Sequence, residues 1–514
     1  MSDRPSVTRT TLAALAAGVM TLSLAGESFA QGRGFGMGGG FGTSRGGNAM
    51  HQPGMGMRYP GGDGPRHPGG MIPRRPGGGV LVIPSGGPYG PYGPGRLGTV
   101  VEIDDGPPPR RITKKQPHKP KVQQAQQAAP RGGFDVPPAG EQRFVRNEVL
   151  LNIPAATSTS TLDMIARRHR LTRLELSDFA MTRRRLARLR INDGRAVGTV
   201  IRSLQADARI LGAQANFLYS LEQGAAPAAD PTQYSLGKLR LSEAHTLARG
   251  ASVRVAVVDT PIDAKHPDLV GAVAASFDAT GASDKPHHHG TGIAGVIAAH
   301  GKLTGAAPAV TILAVHAFGS QSAKGSSMNV LKGLDWAGSS KSDVVNMSFA
   351  GAADSELQIM LAALRRNGIA LIAAAGNAGP NARPLYPAAY PEVIAVTATD
   401  ADDKVFDQAN RGTHIAVAAP GVAILAAAPN DSYQIQSGTS FAAAQVSGVA
   451  ALLIERNRNL DAASIRRILT STARDLGAPG HDDKFGAGLV DAFVAVEQAT
   501  PKATDVSAQT PRSN

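Results

Sequence analysis

The most regular pattern of apolar positions lies in the C-terminal half of the chain, at about 233–498. Five short runs of Val, Ile, Leu and Ala alternate there with helical patterns: VRVAVVD, TILAVHAF, VVNMSF, ALIAAAG and VIAVTATD. Apolar runs of this kind are typical of strands that are buried on both faces of a parallel sheet. The alternation of strand and helix patterns therefore predicts an α/β domain with a doubly wound, mainly parallel sheet.

A smaller unit with a different order of elements precedes this domain, at about 141–223. NEVLLNIP, TRLELSDF, RRLARLRI and AQANFLYSL predict four strands, and TSTLDMIARRHR and VGTVIRSLQAD predict two helices. The resulting order, β-α-β-β-α-β, is that of a ferredoxin-like α+β domain. Many unrelated functions use this fold, so it does not by itself indicate one. Residues 224–232 read as a linker between the two domains.

Both ends of the chain lack a pattern that predicts a packed core. Residues 1–30 combine a basic start, an apolar run and the small-x-small sequence SFA, which is typical of a signal peptide for export to the periplasm or the medium. Residues 31–140 hold 29 of the 60 glycines and 18 of the 35 prolines, so we expect this region to be disordered. We also expect a disordered tail at 499–514.

The basic character of the chain comes mainly from the Gly/Pro-rich region. It carries 14 Lys/Arg against 5 Asp/Glu, which is +9 of the formal net charge of +13. Its few, scattered aromatic residues offer no stacking platform, so no nucleic-acid partner is expected. The chain has no cysteine, which excludes thiol nucleophiles and cysteine metal sites. The sequence has no second apolar run of about 20 residues, so no membrane span is expected after signal cleavage.

Three residues at predicted strand ends or helix starts are candidates for chemistry. Asp259 closes the strand VRVAVVD, His289 precedes GTGIAGVIAA, and Ser440 lies in SGTSFAAA before a helix. A serine hydroxyl needs a base to take its proton, and the base needs a carboxylate to orient it. A serine in such a turn could also be a simple helix cap, so each motif alone is equivocal.

Together the motifs are more specific, and they resemble the subtilisin-like serine peptidases of the S8 family. The resemblance covers about 233–498 and rests on segments in the chain order Asp, His, Ser. These are VVDTPIDAKHPDL, HGTGIAG, GAAPAVTILAVHAFG, VVNMSFAG, AAAGNAGP, YPAAYPEVIAVTATD, IAVAAPG, SGTSFAAA and GAGLVDA.

The resemblance implies a serine endopeptidase with a catalytic triad of Asp259, His289 and Ser440. It also implies an oxyanion site formed by Asn377 and the backbone N–H of Ser440. An extended peptide or protein substrate is then expected to bind along two segments, whose small or apolar side chains favour an apolar residue before the cleaved bond. These are Ser348, Phe349, Ala350 and Gly351 in one segment, and Ala374, Ala375 and Gly376 in the other.

Residues 141–223 resemble the propeptide of secreted relatives, which acts as an intramolecular chaperone and inhibitor and would be cut within about 220–232. No cofactor is expected to be required for catalysis. Many relatives bind a structural calcium ion in the loop after the histidine helix. The segment AAHGKLTGAAP is shorter here, so we expect this site to be absent. Asp400, Asp402 and Asp403 could form another calcium site, although solvated loop carboxylates are the favoured interpretation.

Several positions depart from the family pattern. Pro261 and Gly292 replace a glycine and a histidine that are common after the catalytic aspartate and histidine, and Ala444 and Gln445 follow the serine where proline and histidine are common. None of these changes removes a residue of the predicted triad.

Three alternatives remain open at this point. His287 and His288 could be metal ligands beside His289, but no HExxH motif is present and loop positions are favoured. The chain could be a degenerate, non-cleaving relative that binds peptides at a surface. It could also hydrolyse esters or lipids, for which a GxSxG motif would be expected.

Overall fold

The computed structural model describes residues 133–222, 224 and 233–501. The predicted signal peptide, most of the Gly/Pro-rich region, most of the linker and most of the C-terminal tail lie outside these described residues. Within the described ranges, no helix is both long enough and apolar enough to cross a membrane.

The N-terminal domain has the predicted β-α-β-β-α-β order, preceded by one additional short strand. Its elements are β1 (Phe134–Asp135), β2 (Phe144–Ile153), α1 (Thr159–Arg168), β3 (Leu171–Phe179), β4 (Arg184–Ile191), α2 (Val197–Leu204) and β5 (Gly212–Leu221). The strand order across its sheet is β1-β5-β2-β4-β3. The short strand β1 precedes the domain boundary that was predicted at residue 141, and it pairs in parallel with β5.

The local sequence accounts for the two helices of this domain. Ser158 caps α1 by accepting the backbone N–H of Thr161 at 3.1 Å. Helix α2 places its buried residues at the spacing of one helical face, so it packs as an amphipathic helix on the sheet. These buried residues are Val197, Val200, Ile201 and Leu204.

The second domain is built on a parallel sheet of seven strands. The strands of this domain are β6 (Arg254–Asp259), β7 (Val273–Asp278), β8 (Thr311–His316), β9 (Lys324–Ser326), β10 (Val344–Met347), β11 (Phe349–Gly351), β12 (Ala370–Ala374), β13 (Ile394–Thr399), β14 (Ile415–Pro420), β15 (Ile424–Ala428) and β16 (Ser432–Gln436). The seven-stranded sheet has the order β14-β13-β12-β10-β6-β8-β7, and every neighbouring pair in it is parallel. The predicted fold class is therefore confirmed.

Eight helices of this domain accompany the strands in the described part of the chain. They are α3 (Tyr234–Lys238), α4 (Leu241–Ala244), α5 (His288–Ala298), α6 (Ser327–Ser339), α7 (Ser355–Arg366), α8 (Thr439–Arg456), α9 (Ala462–Ser471) and α10 (Ala492–Ala499). Helices α5 and α8 are buried over nearly their whole length. Small residues allow this burial: at Gly448 in α8, a Cβ atom would lie 2.4 Å from the Cβ of Ala306.

Strand β5 connects the two domains. Its first half completes the sheet of the N-terminal domain, whereas its second half lies between β9 and β11 of the second domain and pairs antiparallel with both. Because β11 directly follows β10, the end of β5 runs past the carboxyl edge of the parallel sheet. In doubly wound sheets this edge is where ligands bind.

Candidate active site

Asp259 and His289 form a buried pair at the carboxyl edge of the sheet. Asp259 is the last residue of β6, and His289 lies in the first turn of α5. The Nδ1 atom of His289 is 2.7 Å and 2.9 Å from the two carboxylate oxygens of Asp259, and both side chains are fully buried. A carboxylate at this nitrogen favours the tautomer in which Nε2 is free to accept a proton.

The turn after Asp259 holds this pair in place. Thr260 donates its backbone N–H and its hydroxyl to Asp259 Oδ1, at 2.7 Å and 3.0 Å. The backbone N–H of Gly290 in turn donates to Thr260 Oγ1 at 3.1 Å. Pro261 does not disturb the turn, because it uses its carbonyl to accept the N–H of His287 at 2.9 Å.

Ser440 lies in the first turn of α8, directly after Gly438 and Thr439. Gly438 has φ 149°, a conformation that side chains rarely adopt, so a glycine is needed where the chain enters α8. Ser440 Oγ donates to the carbonyl of Ser348 at 3.0 Å, and Ser348 Oγ donates to the carbonyl of Ser440 at 3.1 Å. The first turn of α8 is thereby fixed to the end of β10.

The structure brings the three predicted residues to one site, with the serine hydroxyl engaged elsewhere. The ring of His289 packs against Phe441, the residue after Ser440, with ring centroids 6.0 Å apart. The Nε2 atom of His289 is buried and has no hydrogen-bond partner. The hydroxyl of Ser440 is thus bonded to the carbonyl of Ser348 rather than to His289.

Asn377 follows β12 and faces the start of α8. Its Oδ1 atom accepts the N–H and the hydroxyl of Thr439, at 3.1 Å and 2.9 Å. Its Nδ2 atom is buried and has no hydrogen-bond partner. A buried donor without a partner is rare in proteins and marks a place where an acceptor is missing. This is the arrangement expected of an oxyanion donor.

The predicted substrate-binding segments differ in their contacts. Phe349, Ala350 and Gly351 form β11 and pair with β5, and the carbonyl of Ser348 accepts the N–H of Glu222 at 3.3 Å. The second segment is fully buried beside this strand. Ala374, Ala375 and Gly376 come from the end of β12, and the N–H groups of Ala375 and Gly376 are taken by Val396 and Thr439.

Glu222 occupies the site, and the sequence did not single it out. One of its carboxyl oxygens accepts the backbone N–H of Asn377 at 2.6 Å. Burial raises the pKa of this carboxyl to about 7, although the N–H of Asn377 and the nearby His289 and Arg143 act in the opposite direction. The only available signal was its place at the end of a predicted strand. Two residues further on, Gly224 donates its N–H to the carbonyl of Ser437 at 2.8 Å.

The neighbouring histidines take structural positions at the helix start. His287 precedes α5 and caps it, because its Nδ1 atom accepts the N–H of His289 at 3.2 Å. Burial, together with His288 and His289, lowers the pKa of His287 to about 4, which keeps its imidazole neutral at pH 7. His288 is the first residue of α5 rather than the loop residue that was predicted.

The carboxylate beside the short loop after α5 and those considered as another calcium site are bound by donors of the protein. Asp268, near the short loop after α5, accepts the N–H groups of Lys302 and Leu303 at 2.6 Å and 3.1 Å. Asp400 likewise accepts two backbone N–H groups, and Asp403 pairs with a lysine and an arginine. Among the described residues, no group of three or more His, Asp or Glu side chains could hold a metal ion. In this part of the chain, these carboxylates are held by donors of the protein itself and not in the cluster of oxygen ligands that calcium needs.

The second domain is similar to known proteins. The subtilase family model matches residues 250–488. Thermitase of Thermoactinomyces vulgaris is 35% identical over 273 residues, which are 52% of this chain and 96% of thermitase. Subtilisin DY of Bacillus licheniformis is 35% identical over 257 residues, which are 48% of this chain and 92% of the relative.

A solved structure extends the likeness beyond the matched domain. The crystal structure of fervidolysin from Fervidobacterium pennivorans, described as a keratinolytic enzyme related to subtilisin, superposes with a TM-score of 0.63 at 24% identity. The match covers 72% of this chain and 64% of fervidolysin. At this identity the likeness to fervidolysin supports the fold, and the family membership rests on thermitase and subtilisin DY. The chain belongs to the subtilase family of S8 peptidases.

Proposed function

We propose that the chain is an exported serine endopeptidase that is made as a proenzyme and cuts itself. The observation that carries this proposal is the path of β5 beside the buried pair of Asp259 and His289. The N–H groups of Glu222 and Gly224, on either side of position 223, donate to the carbonyls of Ser348 and Ser437. A peptide held by its backbone as an added strand is a common way of binding extended substrates.

The bond that we propose to be cut is the one after Glu222. The carbonyl of Ser348, which binds the N–H of Glu222, also accepts the hydroxyl of Ser440. Ser437, which binds Gly224, lies three residues before Ser440 in the chain. The candidate nucleophile thus lies next to the groups that bind both sides of this bond. The bond falls within the interval 220–232 that the sequence predicts for processing.

In the proposed reaction, Ser440 Oγ attacks the carbonyl carbon of Glu222 while His289 Nε2 takes the hydroxyl proton. Asp259 keeps the imidazole oriented and stabilises its charged form. The negative charge that develops on the carbonyl oxygen is stabilised by Asn377 Nδ2, which has no other partner, and by the N–H of Ser440, because N–H groups in the first turn of a helix have no partner within the helix. His289 then gives its proton to the amine of residue 223, which leaves as the new N-terminus.

The second half of the reaction releases the acyl group. Water takes the place of the leaving amine, His289 removes a proton from it, and the resulting hydroxide attacks the ester carbon on Ser440. The products are a carboxylate at Glu222 and a regenerated serine. The same steps apply to any peptide that replaces β5 between β9 and β11.

The N-terminal domain is proposed to inhibit the enzyme until it leaves the cleft. Its interface with the peptidase domain is polar as well as apolar: Arg184 pairs with Glu356 at 2.8 Å, and Gln214 donates to Asp354 at 2.8 Å. As long as β5 stays between β9 and β11, no other strand can pair there. Residues 1–30, with the pattern of a signal peptide, support export of this proenzyme.

The test compares the full chain with its Ser440→Ala variant. The parent is expected to yield a fragment whose N-terminal sequence starts at Gln223, and to react with a fluorophosphonate probe. Ser440→Ala is expected to stay intact and unlabelled, whereas the control Ser464→Ala, which changes a serine in α9, should behave as the parent. Equal cutting in Ser440→Ala, or an intact and unlabelled parent, would contradict the proposal.

A further inference from the structure

Tyr219 lies three residues before Glu222 on β5, in a closed pocket of the peptidase domain. Its side chain is fully buried. Its ring meets Phe349 edge to face, with ring centroids 5.6 Å apart. The opposite wall is the backbone of Gly351, where a Cβ atom would lie 2.4 Å from the Tyr219 ring. The pocket therefore fits a flat aromatic ring.

A carboxylate lies at the end of this pocket. The hydroxyl of Tyr219 donates to Asp354 Oδ2 at 3.0 Å, and Asp354 is 1% exposed. Asp354 caps helix α7 by accepting the N–H of Leu357 at 3.0 Å. It also accepts the hydroxyl of Ser327 and the side-chain amide of Gln214. A buried carboxylate needs such donors, because losing water without replacing its hydrogen bonds is costly.

These four donors come from two different domains. Leu357 and Ser327 belong to the peptidase domain, so they stay with Asp354 when the N-terminal domain leaves. Gln214 and Tyr219 leave with that domain. The emptied pocket then presents a carboxylate with unused acceptor capacity at its far end. A substrate ring that carries a hydroxyl restores one of the lost hydrogen bonds, whereas a phenyl ring covers the carboxylate without satisfying it.

We propose that Asp354 determines specificity in this peptidase by selecting tyrosine at the fourth position before the cleaved bond. The inference rests on the proposed function, because this position is counted from the bond after Glu222. We expect a preference for tyrosine over phenylalanine of about tenfold to a hundredfold, which is the effect typical of a hydrogen bond between a neutral hydroxyl and a charged acceptor. Sites that bind a substrate hydroxyl reject its deoxy analogue because their own polar group is left unpaired.

The experiment uses the self-processed full chain and three fluorogenic peptides of the form Xaa-Ser-Leu-Glu-Gln-Gly, with Tyr, Phe or Leu as Xaa. We expect kcat/KM for the Tyr peptide to exceed that for the Phe peptide by about tenfold to a hundredfold. The Phe peptide should still exceed the Leu peptide, because the pocket fits a ring.

Two variants separate recognition of the hydroxyl from support of the fold. Asp354→Asn and Asp354→Ser both keep a residue type that caps helices, so α7 retains its start. Serine is too short to reach the substrate hydroxyl, so the Tyr-to-Phe ratio of Asp354→Ser should fall close to one. Asparagine keeps a neutral acceptor and should give an intermediate ratio.

The outcomes distinguish this inference from the proposed function. A parent enzyme that cuts the Tyr and Phe peptides equally well, or that digests casein but not the Tyr peptide, overturns the role of Asp354 and leaves the peptidase intact. A ratio that is unchanged in Asp354→Ser overturns it as well. If both variants fail to fold, the Tyr-to-Phe ratio of the parent decides. A parent that cuts no substrate and takes no fluorophosphonate label contradicts the proposed function, and the inference with it.

Discussion

The carboxyl group of Glu222 accepts the backbone N–H of Asn377 at 2.6 Å. This contact joins the end of the N-terminal domain to the residue that carries the candidate oxyanion donor. Burial raises the pKa of this carboxyl from 4.5 to about 7, because the loss of water outweighs the hydrogen bond from Asn377. The contact is therefore sensitive to the protonation state of Glu222.

This sensitivity predicts that the N-terminal domain binds the cleft less tightly as the pH rises. Glu222 has the higher pKa when the N-terminal domain is bound, so binding of this domain to the cleft is favoured when the carboxyl is protonated. Ionisation of Glu222 weakens this binding. The weakening is absent below about pH 4.5, grows between about pH 4.5 and 7, and then stays constant at about 3 kcal/mol. Arg143 and His289 are the charged or titratable groups that act on it from the two domains.

The measurement is the thermal unfolding of the uncut Ser440→Ala chain at pH 5 and pH 8, with and without Glu222→Gln. Gln cannot ionise, so it keeps its contact across this range. The advantage in Tm of the Gln variant over its Glu parent should be small at pH 5 and larger by a few degrees at pH 8. A difference that does not change with pH would show that Glu222 is not buried as described.

The unpartnered amide of Asn377 predicts a loss in turnover when the donor is removed. For a subtilisin, a relative of this chain, loss of the corresponding donor costs about 10²–10³ in kcat, and we expect the same magnitude here. Asn377→Ala removes both the donor and the acceptor that binds Thr439, whereas Asn377→Asp removes the donor and keeps an acceptor. Both variants should lose turnover, and both should still react with a fluorophosphonate. A rate equal to that of the parent in Asn377→Asp would contradict the assignment.

The sequence allowed the fold to be predicted, and the candidate residues of the triad to be chosen, for a physical reason. Strands of a parallel sheet are buried on both faces, so their apolar runs stand out, and functional residues collect where such strands end. Asp259 ends one of these runs, and His289 and Ser440 begin helices rich in small residues. All three are tied to local patterns that can be seen within about ten residues.

The contacts that define the substrate cleft lacked such local patterns. Glu222 meets Asn377 across 155 residues, and Tyr219 meets Asp354 across 135 residues. Strand β9, Lys-Gly-Ser, pairs with β5 through its backbone and has no apolar pattern at all. The apolar residue expected before the cleaved bond was judged from the pocket side chains alone, whereas the proposed function places Glu222 there, bound through its backbone N–H.

The helix that carries His289 is predicted to tolerate no side chain at Gly290. A Cβ atom there would lie 2.4 Å from the backbone oxygen of Thr260, the residue after Asp259. Gly290→Ala must push α5 away from the turn that orients Asp259. A misplacement of about 1 Å in a catalytic group can cost about 10²-fold in rate, and we expect a loss of that order in kcat.

The matched control for this substitution is Gly237→Ala in α3, where a Cβ atom would meet nothing within 4 Å. Alanine there should leave kcat unchanged and raise the free energy of unfolding by about 0.5–1 kcal/mol. Kinetics and thermal unfolding of the two variants test the pair together. An unchanged kcat in Gly290→Ala would show that α5 can shift without disturbing His289.

The hydrogen bonds of Asp268 predict that calcium does not stabilise the region after α5. Its side chain is fully buried, and its two oxygens are used by the N–H groups of Lys302 and Leu303. The short loop thus gives each oxygen of this carboxylate a hydrogen bond from its own backbone, so the carboxylate does not need a cation to replace its lost water. We expect the Tm of the Ser440→Ala chain, which cannot digest itself, to be the same in calcium and in excess chelator.

Asp268→Ala should lower the free energy of unfolding by about 1–3 kcal/mol for each N–H that loses its acceptor, equally in both solutions. A Tm that falls in chelator for the Ser440→Ala chain but not for the same chain with Asp268→Ala would instead assign a bound cation to this carboxylate.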